Sequence, residues 1–453
     1  MFQGWRIVAV SALAQAVSIG TTFYAYGAFM KPLAAEFGAS RLAVTLGMTS
    51  MTVVQGLAGP FLGRGLDRLH PRLVLATGVG LEALGLGLLS RATELWQAGL
   101  LLVTVIALGS YLFGALATTA VVGRWFVRRR GRALGLTALG SAAGGVAFPP
   151  IVTALIGELG WRGAAGALGA GILLLIVPIL LFVARRPEDV GALPDGDPVE
   201  SIREEPREEA RAAGAASVVG GAASATSRPD SSFASASVDP AASPAASSAP
   251  TEPLTTRALL ADRNFWVITI AMAFAYSPVN VMLAHLVPFA TDIGISPARA
   301  AILLSGYALG SALGRLPFGW LADRFDKKLA AWVMFGWFAA SWSQLMGQPS
   351  FEALLVAVVA AGFAVGGTLP LWGALTGAAF GRASIGSAMG LTNLLMLPVS
   401  IAGAPIAAHV YDRTGTYQLA FTLFIFSFAV GALAIAFLRL PAVEPGSERA
   451  GGN

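Results

Sequence analysis

Long apolar segments constrain this sequence more than any other feature. The runs "WRIVAVSALAQAVSIGTTFYAYGAFM" and "AFTLFIFSFAVGALAIAFL" are each long enough to cross a bilayer core of about 30 Å, which takes roughly 20 helical residues. Only 12% of the residues are charged, about half the fraction found in soluble proteins. The alternating segments of about 10 residues that are typical of membrane β-barrels are not seen. The sequence therefore predicts an all-α integral membrane protein.

The apolar segments form two groups of six, and a polar region separates the groups. The first six are predicted at 5–30, 42–62, 72–91, 97–122, 133–157 and 163–184. The second six are predicted at 265–290, 298–320, 328–347, 352–379, 386–410 and 416–440. The region between them is rich in Ala, Ser, Pro and Glu and nearly lacks aromatic residues, which is typical of disorder. The predicted domains are a six-helix bundle at 1–184, a disordered linker at 185–262, a second bundle at 263–441 and a tail at 442–453.

Basic residues indicate how the chain is oriented. The loops "GRGLDRLHPR", "GRWFVRRRGR" and "ADRFDKK" all lie on the side of the bundle that carries the linker. The positive-inside rule predicts that this side, with both termini, is cytoplasmic in a plasma membrane, here a bacterial inner membrane. These loops explain the net charge of +5 without nucleic acid as a partner. The absence of cysteine excludes disulfides and thiolate metal sites, and we expect neither a cofactor nor a metal.

The two halves of the sequence resemble each other. Asp67 in "GRGLDR" and Asp323 in "GWLADR" are 256 residues apart (323 − 67). The segments "RGRALGL" and "IGSAMGL" match at an offset of 255 residues (390 − 135). Two motifs at nearly one offset indicate duplication of a six-helix unit, which is a property of secondary transporters.

These motifs resemble those of the major facilitator superfamily. "GRGLDRLHPR" is similar to that superfamily's signature loop between helices 2 and 3, and "GWLADRFDKK" is a weaker copy between helices 8 and 9. The resemblance implies twelve helices in two pseudo-symmetric halves, with glycines that allow close helix contact and charges that close the cytoplasmic face. Pro71 departs from the pattern and should stiffen the first loop. The implied gating residues are Gly63, Asp67, Arg68, Gly319, Asp323 and Arg324.

Two further stretches resemble the monocarboxylate transporter family and the bacterial oxalate–formate antiporter family. They are "GWRIVAVSALAQAVSIG" at the first helix and "GRWFVRRRGRALGLTALGSAAGGVAFPPI" from helix 4 into helix 5. Both families carry a helix 8 arginine followed by glycine four residues later, as in Arg315 and Gly319 here. The resemblance implies that Arg315 pairs with a substrate carboxylate, a role that suits the bidentate guanidinium. The alternative is that Arg315 extends to the cytoplasmic edge.

The sequence departs from the family at the residues that couple transport to protons. Ser311 stands where animal monocarboxylate transporters have an aspartate, and Tyr24 stands where they have a lysine. Lys31 lies further along, where we expect an interfacial anchor. Helix 11 has no Lys or Arg in its body, which favours a monocarboxylate over a dicarboxylate. Proton symport and anion exchange both stay open.

Other polar residues are candidates for the transport path. Tyr307, Ser311 and Arg315 are four residues apart and share one helix face, which we expect to point at the central cavity. The remaining substrate-binding candidates are Tyr24, Tyr111, Tyr276, Asn280 and Trp372, with helix packing or a proline kink as the alternative. Glu82 and His285 are candidates for proton coupling, and simple hydrogen bonding is the alternative for both.

We therefore predict a secondary transporter of small organic monocarboxylates such as lactate or pyruvate, coupled to protons and working by alternating access. A carboxylate exchanger and an efflux carrier for other organic compounds are the alternatives. No GxxxxGK[ST] loop occurs and the histidines are scattered, so neither an ATP-driven pump nor an enzyme is expected. The expected partners are a small carboxylate, protons and the lipid bilayer, and the chain is expected to be a monomer.

Overall fold

Twelve long helices make up the structure. It is a computed structural model that describes residues 2–184, 187–190, 193, 195, 254–347, 349–381 and 384–440, except for the side chains of residues 59–68, 188 and 190. The first four helices are α1 (Gln3–Phe37), α2 (Arg41–Arg68), α3 (Pro71–Leu89) and α4 (Leu95–Trp125). Helices α5 and α6 share the run Arg130–Phe182 and are divided at Gly160, whose φ is 67°. The second half contains α7 (Arg263–Asp292), α8 (Pro297–Arg324), α9 (Lys327–Ser343), α10 (Phe351–Phe380), α11 (Ile385–Thr414) and α12 (Gln418–Ala436).

The helices are long and apolar enough for a membrane protein. Eight helical runs meet a test of length and hydropathy for crossing a bilayer, and one of these runs holds both α5 and α6. The remaining helices are α2, α8 and α9, which complete two groups of six. The predicted all-α membrane fold, with six helices in each half, is confirmed.

Glycines let helix pairs approach until backbones touch. A Cβ atom on Gly144 of α5 would lie 2.1 Å from the carbonyl oxygen of Ala16 in α1. A Cβ atom on Gly314 of α8 would lie 1.9 Å from the carbonyl oxygen of Phe363 in α10. Small residues at such crossings replace the hydrophobic driving force that lipid removes. The two contacts fix α1 against α5, and α8 against α10, around the centre of the molecule.

The predicted gating residues do not all have the expected contacts. A Cβ atom on Gly319 would meet nothing closer than Pro370, at an ordinary 3.8 Å, so the expected close helix contact at Gly319 is wrong. Asp323 and Arg324 are exposed, and Asp326 instead caps α9 by accepting from two backbone N–H groups. The first copy of the motif lies among side chains that the structure does not describe: Gly63, Asp67 and Arg68.

Both described ends of the predicted linker contact the bundles. Asp195 is buried and accepts hydrogen bonds from the backbone N–H groups of residues 127–129, just before α5. Thr256–Ala261 forms a short helix, where the sequence predicted disorder, because Thr255 caps it and Leu259 is buried. The predicted linker residues 196–253 lie outside the described part of the chain. We call this end of the bundle the linker end and the opposite end the distal end.

Candidate functional site

A cavity of about 720 Å³ lies between the two halves. Residues of α2, α4, α7, α10 and α11 line it, from the middle of these helices towards the linker end. Four of the predicted substrate-binding residues are in its wall: Tyr111, Tyr276, Asn280 and Trp372. Sequence reasoning missed the other polar lining residues, which include Thr52, Gln55 and Ser400. Apolar walls with a few convergent polar groups are typical of small-molecule sites.

The wall formed by the second half is rigidly built. The rings of Tyr276 and Trp372 meet edge to face, with centroids 6.1 Å apart. The amide nitrogen of Asn280 donates to the carbonyl oxygen of Ser400, 3.1 Å away, and thereby ties α7 to α11. Aromatic pairs and hydrogen-bonded amides hold the wall in one arrangement. The cavity can therefore present polar groups at fixed positions to a small ligand.

Arg315 is a cation near this cavity that has no counter-ion among the residues the structure describes. Its charge acts on the phenol groups of Tyr24 in α1 and Tyr276 in α7, one from each half, although Arg315 is not among the residues that line the cavity. The side chain is partly buried, and among the described residues it has no ion pair or hydrogen bond. A guanidinium in a membrane bundle is costly unless an anion or polar groups surround it. The site thus has positive charge and planar donors available for a carboxylate.

Tyr24 sits where α1, α5 and α8 meet. A Cβ atom on Gly145 would lie 2.6 Å both from the Tyr24 ring and from Ala308, so the ring fills the junction of the three helices. Tyr307 lies close to Tyr24, and it is fully buried, with no partner for its hydroxyl in the described residues. Tyr307 therefore packs close to Tyr24 and is not part of the cavity lining.

A π-helical turn that ends at Tyr24 interrupts α1. It spans Gly20–Tyr24, and two of its side chains, those of Thr21 and Thr22, contact Oε1 of Glu82 in α3. Glu82 is 0% exposed, and its Oε2 atom has no hydrogen-bond partner in the described part of the chain. Single π turns inside α-helices are frequent at functional sites. The turn therefore contacts a buried carboxyl group of α3 and ends at Tyr24, the neighbour of Arg315.

A cluster of charges closes the distal end. Arg41 at the start of α2 makes a bidentate pair with Asp292 at the end of α7, with N–O distances of 2.7 and 2.9 Å. Lys31 pairs with the same carboxylate at 2.7 Å, a contact between the halves that the sequence did not indicate. The Asp412 carboxylate accepts from the backbone N–H groups of Arg41 and Leu42. We call Lys31, Arg41, Asp292, Asp412 and Tyr417 the distal cluster.

His285 lies next to the distal cluster and has no described contact with Arg315. Its Nε2 atom lies 3.0 Å from the Ala404 carbonyl oxygen, and its Nδ1 atom lies 3.0 Å from the Tyr417 hydroxyl. The hydroxyl of Tyr417 also accepts from Arg41. Burial raises the pKa of Tyr417, which keeps its proton available for Nδ1. The carbonyl oxygen of Ala404 can only accept, so Nε2 donates to it, and both ring nitrogens of His285 have a hydrogen-bond partner.

Comparison with known protein families gives an independent result for nearly the whole chain. The family described as "Major Facilitator Superfamily" matches residues 12–289 and 265–453. Among curated proteins, "Monocarboxylate transporter 13" of Rattus norvegicus is 26% identical, and the match covers 93% of this chain and 85% of the rat protein. "Monocarboxylate transporter 12" of Rattus norvegicus is 28% identical, covering 80% of this chain and 70% of the relative.

Solved structures show the same fold. A bacterial homolog of the human lysosomal transporter Spinster, titled as inward-facing and unoccupied, superposes with a TM-score of 0.61 at 14% sequence identity. That superposition covers 96% of this chain and 95% of the other. The occupied, inward-facing form of the same homolog gives a TM-score of 0.62. At this identity the similarity concerns the arrangement of the helices.

Proposed function

The chain belongs to the major facilitator superfamily, a family of membrane transporters, and we propose that it carries small organic monocarboxylates across the plasma membrane together with protons. The observation that carries this proposal is Arg315, a cation beside the central cavity with no acidic partner among the described residues. A carboxylate supplies the missing negative charge and matches the two parallel N–H donors of a guanidinium. Lactate and pyruvate are substrates of the right charge and size.

The cavity walls fit a small monoanion. Tyr276 and Trp372 offer apolar ring surface, and the hydroxyl groups of Tyr24 and Tyr276 lie within the field of Arg315. A single unpaired arginine neutralises one carboxylate, so a second carboxylate on the substrate would enter without a counter-charge. The similarity to proteins named monocarboxylate transporters supports the same substrate class.

Transport follows from the different closure of the two ends. The distal cluster joins α1 and α2 of the first half to α7 and α11 of the second half. The cavity extends towards the linker end, which the basic loops assign to the cytoplasm. We propose that this conformation is inward-facing, and that breaking the distal cluster and closing the linker end exposes Arg315 to the outside.

Uptake into liposomes tests the proposal. We expect an inward proton gradient to drive accumulation of labelled lactate by the parent protein. Replacing Arg315 with Ala removes the anion's partner, and truncation of a buried charge pair costs about 2–5 kcal/mol, so uptake should fall at least about 30-fold. The matched control is Arg299→Ala, on the same helix but at the exposed distal end, where Arg299 pairs with Glu352. Equal uptake by the Arg315 variant and the parent would remove the main support for a carboxylate substrate.

An exchanger of carboxylates is the second candidate. It is supported by the absence of an acid one turn before Arg315, where Ser311 lies half-buried. An exchanger would show lactate uptake only against a preloaded carboxylate and would not respond to the proton gradient. The same liposomes, loaded with lactate or with buffer alone, separate the two functions.

A further inference from the structure

We propose that Glu82 binds the transported proton and that the π turn of α1 transmits its protonation state to Arg315. This inference rests on the proposed function and names the group that replaces the missing acid of helix 8. The carboxyl group of Glu82 contacts the segment of α1 that also carries Tyr24 at the proposed substrate site. It lies on α3, and the Gly20–Tyr24 turn of α1 connects it to Tyr24, on which the charge of Arg315 acts.

The hydrogen bonds around Thr21 indicate which state the carboxyl group has here. The hydroxyl of Thr21 donates to the carbonyl oxygen of Val17, 2.7 Å away, and also contacts Oε1 of Glu82. A hydroxyl group has one hydrogen, so it cannot donate to both oxygens at once. If Glu82 carries a proton, it donates to Thr21 and Thr21 donates to Val17, which gives one hydrogen for each contact. The protonated acid therefore fits this geometry.

The surroundings of Glu82 also favour the neutral acid. The carboxyl group has no ion pair in the described part of the chain, and only Thr21 and Thr22 act on it. Gly109 of α4 packs against its backbone, and Gly169 of α6 packs against the next residue, Ala83. The charged groups of the packed helices lie towards the helix ends: Arg6, Lys31 and Glu36 on α1, Arg72 on α3, Arg124 on α4, and Arg162 on α6. An ionised carboxylate in such a place is costly.

A string of polar groups connects this site to the cavity. Ser18, one turn before Thr21, donates to the carbonyl oxygen of Ser110 in α4 at 2.9 Å. The hydroxyl of Ser110 in turn accepts from the amide of Gln55, at 3.0 Å, and Gln55 lines the cavity. The Thr21 hydroxyl, which contacts Glu82, is 3.4 Å from the carbonyl oxygen of Ser18, so polar groups of α1, α4 and α2 lie between the carboxyl group and the cavity.

Loss of the proton changes the α1 turn. An ionised Glu82 can only accept, so Thr21 must turn its hydrogen from Val17 to Glu82 while Thr22 continues to donate. That exchange removes a side-chain hydrogen bond within α1 at the π turn, whose last residue is Tyr24. Tyr24 packs between α5 and α8 within the field of Arg315. The proton on Glu82 thus sets the position of Tyr24 and, through it, the affinity of Arg315 for the anion.

Separate assays of exchange and accumulation test this assignment. Glu82→Gln keeps the size of the side chain and mimics a permanently protonated acid. We expect this variant to exchange labelled lactate for internal lactate at equal pH within about threefold of the parent rate, and to lose accumulation driven by a proton gradient. Parent-like accumulation by Glu82→Gln would overturn the proposal. A parent protein that neither exchanges nor accumulates lactate would instead overturn the proposed function.

A second variant keeps the proposal testable if Glu82→Gln loses both exchange and accumulation. Glu82→Asp keeps an ionisable group at a slightly greater distance from Thr21. Accumulation by Glu82→Asp, with a shifted pH dependence, would support a proton-binding role. If Glu82→Asp is as inactive as Glu82→Gln in both assays, Glu82 serves packing and the proposal fails. In addition, at a pH high enough to ionise Glu82 in the lactate-free parent, lactate binding to the detergent-solubilised parent in weak buffer should take up a proton, detected by an indicator dye, and binding to Glu82→Gln should not.

Discussion

Two arginines lie between the halves of this molecule, and their surroundings are opposite. Arg41 in the distal cluster has a bidentate carboxylate, a tyrosine hydroxyl and the ring face of Tyr411, 3.6 Å from its guanidinium carbon. Arg315 beside the cavity has none of these contacts with the described residues. A cation paired with a carboxylate and a hydroxyl serves closure, whereas a cation without such partners is available to a ligand. The number of partners, and not burial alone, distinguishes Arg41 in the distal cluster from Arg315 at the proposed binding site.

The largest effect on the distal cluster is expected from Asp292→Asn, because this change removes the carboxylate shared by Lys31 and Arg41. The Asp292 side chain is 21% exposed, so we expect a cost of about 1–2 kcal/mol and roughly a tenfold shift towards opening of the distal end. The chain has no cysteine, so Asn280→Cys in the cavity wall reports this opening through thiol labelling from the distal side.

The matched control for Asp292→Asn is Glu352→Gln. It breaks the Arg299–Glu352 pair at the same end, but both partners of that pair lie in the second half. Labelling of the cavity thiol should not change in this variant. If Asp292→Asn labels no faster than the parent, the distal cluster is not what holds the two halves together.

A smaller effect is expected from Tyr417→Phe. The change removes the hydroxyl that links Arg41 to His285 and keeps the ring that stacks on Phe421. One buried hydrogen bond contributes about 1 kcal/mol, so labelling of the cavity thiol should rise roughly fivefold. In the double variant with Asp292→Asn, we expect less than the sum of the two free-energy changes, because both act on Arg41. Strict additivity would show that the two contacts do not belong to one cluster.

The smallest effect on transport is expected at Asp195, which contacts one half only. Burial opposes its ionisation, but hydrogen bonds from the N–H groups of Arg128, Arg129 and Val127 outweigh burial and lower the pKa of Asp195. Because the pKa of Asp195 is lower in the folded protein, its ionisation stabilises the contact fully at pH values above the unfolded-state pKa of about 3.9. This stabilisation is lost as the pH falls through the folded-state pKa. Transport by Asp195→Ala should equal that of the parent.

Hydrogen exchange checks this contact directly. In the parent, the amides of residues 127–129 should be protected near neutral pH, and their protection factors should fall when Asp195 is protonated. In Asp195→Ala they should be unprotected at neutral pH, while the amides of Arg41 and Leu42 stay protected by Asp412. Unchanged protection at 127–129 in this variant would contradict the assignment of the cap.

The sequence predicted the helices well because a helix that crosses a bilayer requires an apolar segment of matching length. It also indicated Arg315 as a candidate, since a cation inside such a segment is conspicuous without any knowledge of the fold. Arg41 was missed because it follows "FGAS" at a helix start, where an arginine is ordinary. Its importance depends on Asp292 and Asp412, which are more than 240 residues away in the chain. Pairing of that kind comes from tertiary packing.

The remaining differences have the same physical origin. Gly319 repeats a motif glycine, but helix crossing places the close contacts at Gly314 and Gly362 instead. The π turn at Gly20–Tyr24 has no signal in residue type, since its sequence "GTTFY" suits an α-helix in an apolar run. Only the packing of Thr21 against Glu82 shows what the turn brings together.

The central claim is that Arg315 binds the substrate carboxylate, and equilibrium binding of labelled lactate to the purified protein tests it most directly. We predict that the parent binds lactate, that the uncharged amide lactamide does not compete, and that Arg315→Gln binds at least about 30-fold more weakly. Arg299→Gln, on the same helix, should bind as the parent does. Equal affinity of the parent and Arg315→Gln for lactate would contradict the account.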